Sequence, residues 1–103
     1  MISYGRDRVF MDVEVERHRQ EAKWGEQSHP DGTHERYESA RDRYRNECED
    51  AFRVRGDGSW RHIFLEEVFE AMTETDPVKL REELIQALAV ATAWVEAIDR
   101  RRE

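Results

Sequence analysis

Residues 59–73 read Ser-Trp-Arg-His-Ile-Phe-Leu-Glu-Glu-Val-Phe-Glu-Ala-Met-Thr, and residues 77–86 read Pro-Val-Lys-Leu-Arg-Glu-Glu-Leu-Ile-Gln. Neither stretch alternates as a strand would, and both repeat apolar residues at the three- and four-residue spacing of a helix. Asp76 before Pro77 is a strong helix start, because the carboxylate can cap the first turn and proline is already set for the first helical position. Ser59 can cap the preceding helix in the same way. The pair therefore reads as a helical hairpin, about 59–73 and 77–101, turning near Asp76.

Outward from this hairpin, Gly25, Pro30 and Gly32 form one cluster of breakers and Gly56 with Gly58 a second. They delimit two more helices, from about Arg8 to Gly25 and from about Thr33 to Arg55. The reading is all-α: a four-helix bundle formed by one domain over residues 1–103. The second helix is charge-rich. Its narrow apolar stripe of Tyr37, Ala40, Tyr44, Cys48, Ala51 and Phe52 predicts loose packing.

Composition narrows the function. Lys+Arg is 17 against Asp+Glu 24, a net charge of −7, with hydrophobic residues at 38%. An acidic chain lacks the electrostatics that neutralise phosphates in non-specific nucleic-acid binding, so no nucleic acid is expected as partner. The longest uncharged run, Leu84 to Val95, is too short for a bilayer span of about 20 residues. No apolar stretch follows Met1, which predicts no secretory signal. A single cysteine, Cys48, makes neither an internal disulfide nor a zinc quartet. A cytoplasmic protein is the expectation. In its charged setting Cys48 is not expected to be a nucleophile, and His18 and His62 are read as surface or packing residues.

The anomaly lies in the hairpin. At roughly 100° per residue, Glu67 falls inside the apolar arc of its helix, between Ile63 and Trp60. Glu70 lies at the edge of that arc and Glu66 outside it. On the next helix Glu83 falls between Val90 and Trp94, and Gln86 between Ala93 and Ala97. An unpaired charge is costly to bury, so packing alone does not explain these positions. Antiparallel pairing sets Glu67/Glu70 level with Glu83/Gln86. Carboxylates this close repel unless protonated or neutralised by a cation, and oxygen-only ligation suits Mg²⁺, or Mn²⁺, rather than zinc. Glu96 and Asp99 repeat the spacing, but they read as a solvated helix end beside Arg100 to Arg102. The competing reading is that all these glutamates are solvated faces paired with the chain's many arginines.

On the first helix Phe10, Val13, Arg17, Gln20 and Trp24 share one face, which suggests a pocket wall. Trp24 is either a core anchor or a platform for a base. His29, in a Ser-His-Pro-Asp-Gly turn, either braces its loop or meets an anion. The last helix is apolar around more of its circumference than a small monomer covers, which predicts a homodimer or homotetramer.

At these residues the chain resembles the MazG-like all-α nucleoside triphosphate pyrophosphohydrolases, whose hallmark is Glu-Glu-x-x-Glu on one helix and Glu-x-x-Asp on the next. Glu66-Glu67-Val68-Phe69-Glu70 matches the first half, and Glu83-Leu84-Ile85-Gln86 the second except at its last position. Glu16-Arg17-His18-Arg19-Gln20 and Lys23-Trp24-Gly25-Glu26-Gln27-Ser28-His29-Pro30 are similar to the N-terminal signature of a short bacterial and phage branch. The resemblance implies Mg²⁺-dependent cleavage of a (d)NTP to the monophosphate and pyrophosphate. It implies metal ligation by Glu67, Glu70, Glu83 and Gln86, with Glu66 and Glu67 catalytic. It implies nucleotide contacts from Arg17, Gln20, Lys23, Trp24 and His29. Gln86 offers an amide oxygen where the family has a carboxylate. The alternative expectation is therefore a non-catalytic nucleotide- or protein-binding regulator on a degenerate version of the same scaffold.

Overall fold

The computed structural model describes residues 4–101, and every regular element among them is helical. Four helices carry the fold: α1 (Tyr4–Trp24), α2 (Glu38–Asp50), α3 (Trp60–Thr73) and α4 (Pro77–Arg101). A short 3₁₀ turn, Glu35–Tyr37, leads into α2, and a wider turn of π geometry, Ala51–Arg55, extends it. Among the described residues no helix is long and apolar enough to cross a membrane.

The helix ends follow from local chemistry. Ser59 Oγ accepts a hydrogen bond from the His62 amide, and Asp76 Oδ1 accepts one from the Val78 amide at 3.1 Å. Both side chains satisfy amides that the first helical turn leaves without partners. Gly25 and Gly56 close α1 and the π turn with φ of +71° and +74°, a left-handed conformation that costs glycine nothing.

The chain forms two compact units: residues 31–91, and residues up to Pro30 together with those from Thr92 onward. In the 31–91 unit Cys48, Ala51, Ala71, Leu80, Ala87 and His62 are buried. Most of these side chains are small, which lets helix backbones approach closely while larger residues seal the flanks. His62 and Ala71 lie on opposite sides of α3, and every residue from His62 to Glu74 is at most partly exposed, so α3 is the covered, central element. The loop end is tied to it by the His34 amide donating to the Met72 carbonyl at 2.9 Å.

The expectation that α2 packs loosely is overturned. Tyr44 stacks on Phe69 with centroids 4.4 Å apart and ring planes 8° from parallel. Cys48 of α2 and Ala51 at the start of the π turn are buried beside it. A narrow stripe suffices because Cys48 and Ala51 are small and the Tyr44 ring lies flat on Phe69.

In the other unit Val9 and Thr92 are buried, and Arg6 Nε meets Glu96 Oε1 at 3.4 Å. Only 12% of the Glu96 side chain is exposed, and Asp99 is partly buried. The expectation of a solvated helix end is therefore corrected for Glu96, which is held by an arginine of α1. Arg102, named with that helix end, lies outside the described residues.

Candidate functional site

The carboxylates at 66, 67 and 70 are partly buried because α3 is covered on more than one side. They do not all face one neighbour. Glu66 is partly buried and close enough to the Cys48 thiol of α2 to raise it, so it lies within the packed region and not outside it. Glu70 is bound by the Arg45 guanidinium, also from α2. Glu67 is the one most affected by Glu83 of α4. α3 thus carries acidic groups toward both neighbouring helices.

Acidic charge is coupled between α3 and α4. Burial, and then the negative charges of Glu83, Glu66 and Glu70, holds the Glu67 carboxyl above its ordinary value. Burial, and then Glu70, Glu74 and Glu82, does the same to Glu83. Each carboxylate is disfavoured as an anion by its loss of water and by its neighbours. Glu83 thus acts on Glu67, and Glu70 on Glu83, between the two helices. Cys48 feels the same field: burial, with help from Glu66 and Glu67, pushes its thiol up to about 11. A thiol so protonated at neutral pH is a poor nucleophile.

Gln86 differs from these partly buried carboxylates in its exposure. It is exposed, on the flank of α4 about 100° around from buried Ala87. The all-carboxylate donor set of Glu67, Glu70 and Glu83, with Glu66 beside it, suits a hard divalent cation by chemistry and by charge. As the side chains stand, no three His, Cys, Asp or Glu groups among the described residues converge around a common point. Glu70 is instead turned to Arg45, which supplies positive charge from within the protein.

The remaining predicted site residues lie in the other unit. Arg17 donates to Gln20 Oε1 at 2.6 Å and to Glu21 Oε1 at 3.2 Å, and Gln20 donates to Glu16 at 3.1 Å. Arg17 and Gln20 line an open groove of about 610 Å³ with Glu21, Gly25, Glu26 and Gln27. They also border an apolar hollow of about 280 Å³ with Val9, Val13 and Val95. Trp24 is 63% exposed, with Lys23 Nζ 4.9 Å from its ring centroid. Its reading as a core anchor is therefore wrong. His29 bonds Gln27 Oε1 at 3.1 Å, which braces the loop.

Sequence reasoning missed Arg45, one of many arginines in a charged helix. Its only signal was position: two α2 turns that carry Tyr44 and Cys48 against α3 must also bring Arg45 near that helix. His62 is buried, bonded through Nδ1 to Ser59 Oγ at 2.7 Å, with Glu47 3.6 Å from Nε2. It is a packing residue, in keeping with its sequence reading. No protein-family model, curated protein or solved structure matches the chain.

Proposed function

We propose that the chain is an Mg²⁺-dependent nucleotide pyrophosphohydrolase of the MazG-like kind, cleaving a (d)NTP to its monophosphate and pyrophosphate. The observation that carries this reading is the crowding of partly buried acidic groups on successive helices, where Glu83 disfavours the ionised form of Glu67 and Glu70 that of Glu83. A fold stabilised only by packing gains nothing from that arrangement, whereas a bound cation relieves it. Glu67, Glu70 and Glu83 would hold the metal, and Mg²⁺ there would neutralise phosphate charge and orient water. Glu66, whose charge raises the Cys48 thiol, would accept a proton from that water. The nucleotide roles of Arg17, Gln20, Lys23, Trp24 and His29 rest on the sequence resemblance, with exposed Trp24 open to stack on a base. Exposed Leu84, Ile85 and Leu88 on α4 support a homo-oligomer.

A second reading, a regulator that binds without turnover, draws on exposed, neutral Gln86 and on the Arg45–Glu70 pair. Pyrophosphate release from a panel of ribo- and deoxyribonucleoside triphosphates, with Mg²⁺, Mn²⁺ or EDTA, separates the two. Metal-dependent monophosphate and pyrophosphate support the enzyme; silence from folded protein across the panel rejects it in favour of the regulator.

A further inference from the structure

The unit made of α1 and the last turns of α4 is short of partners. α1 has 21 residues, about 31 Å at 1.5 Å per residue. α4 gives this unit only residues 92–101, about half that length. Among the described residues only Val9 and Thr92 are buried in it. Phe10, Val13 and Trp24 of α1 and Val95 of α4 are instead 48%, 39%, 63% and 41% exposed. They present roughly 400 Å² of apolar surface, since one aromatic side chain alone spans about 150–250 Å². A standard interface removes about 800 Å² from each partner, a little over half of it apolar. The patch therefore supplies close to the apolar share of one dimer.

The residues of this patch have the pattern of a surface that pairs with its own copy. Val13, Arg17, Gln20 and Trp24 follow at steps of four, three and four, a seam that reads the same in both directions. Laid antiparallel on a second α1, Val13 meets Trp24 of the other copy and Arg17 meets Gln20. Beside Val13 lies the hollow of about 280 Å³ that Val9 and Val95 also line. A cavity of about 150 Å³ holds benzene, so this one has room for an indole. A helical side chain leans toward its own N-terminus, which carries each Trp24 ring over the Val13–Gln20 stretch of the other copy, where the hollow lies. The polar centre of the seam is already neutral, because Arg17 donates to Gln20 and Glu21 of its own chain, and its other guanidinium donors are left for the Gln20 opposite. We propose that this seam is a two-fold interface between copies of the chain, each Trp24 seated in the Val9, Val13 and Val95 hollow of the other. The inference rests on the homo-oligomer reading above and gives it a surface apart from Leu84 and Ile85. A Trp24 seated in a second copy is not open to a base, so this assignment replaces the stacking role that the sequence resemblance gives it.

The test is the mass of the full chain by sedimentation equilibrium, for wild type, Trp24→Ala, Val95→Glu and Leu84→Glu. Wild type should associate. Trp24→Ala and Val95→Glu should each raise the dimer Kd about tenfold or more, as loss of an anchoring side chain does, and Leu84→Glu should still dimerise. A wild type that stays monomeric overturns the inference together with the homo-oligomer reading. Association lost in Leu84→Glu but kept in Trp24→Ala overturns the inference alone, and so does a Trp24→Ala chain that loses nucleotide binding and keeps its mass. Register is read by mixing chains that carry Val13→Cys and Trp24→Cys under an added oxidant. A cross-link between the two kinds of chain should form, and its absence, or equal cross-linking within either kind alone, rejects the antiparallel seam. If Trp24→Ala does not fold, Val95→Glu and the cross-link decide.

Discussion

Replacing Glu67 with Gln should stabilise the metal-free protein at neutral pH. The substitution keeps the shape of a partly buried side chain and removes its charge. Repulsion from Glu83, Glu66 and Glu70 vanishes with that charge. The i,i+3 contact with Glu70 on α3 is worth about 0.2–0.5 kcal/mol, and the contact with Glu83 across the hairpin is of the order of 0.5 kcal/mol for partly solvated charges. Burial of an ion adds in the same direction, so the gain is about 1 kcal/mol, or about 4–8 °C in Tm for a domain of this size. The pH dependence has a definite sign. Folding raises the Glu67 and Glu83 carboxyls above their ordinary 4.5, so stability falls as pH rises from 4.5 through the raised values. Below 4.5 both states carry the proton and the advantage of Gln disappears. Thermal unfolding by circular dichroism in EDTA, at pH 7.5 and pH 4, measures both. A lower Tm for the variant at pH 7.5, or an equal shift at the two pH values, would refute the repulsion argument and indicate a structural ion pair instead.

Two further outcomes follow from the packing of α2 on α3. A double-mutant cycle of Tyr44→Leu and Phe69→Leu, read by urea denaturation, should give a coupling of about 0.5–1.5 kcal/mol for the stacked rings; additivity would mean that they only fill space. Cys48, buried with its thiol raised to about 11, should react with a disulfide reagent at pH 8 many times more slowly than in urea. Rapid labelling of the folded protein would show that α2 does not stay on α3.

The ends of α1 and of the π turn and the starts of α3 and α4 were legible because single residues set them, whereas α1 reaches back to Tyr4 instead of about Arg8 and α2 starts at Glu38 instead of about Thr33. Ser59 and Asp76 cap their helices, and Gly25 and Gly56 end theirs at left-handed φ. The tight turn between the third and fourth helices was legible too, since Thr73 and Pro77 bound it as expected. What the sequence hid was coverage. A helical wheel assigns one buried face, but α3 is covered on two, so Glu66 looked solvated while it faces Cys48. The wheel likewise treats Arg45 as surface charge, because an arginine's reach across a helix interface depends on how closely small Cys48 and Ala51 let the backbones approach. Glu96 was misjudged for the same reason: its partner Arg6 is distant in sequence and brought near only by the fold. The π turn at Ala51–Arg55 leaves no recognisable pattern in its residues.

The central claim is that the Glu67 and Glu83 carboxylates serve a catalytic cation and not the fold. Pyrophosphate release from nucleoside triphosphates, compared among wild type, Glu67→Gln and Glu83→Gln with and without Mg²⁺, tests it most directly. The account predicts Mg²⁺-dependent release by wild type and at least a hundredfold loss in each variant, about 2.7 kcal/mol of transition-state stabilisation, with Tm unchanged or higher. Activity retained in both variants, or its loss only together with the fold, would contradict it.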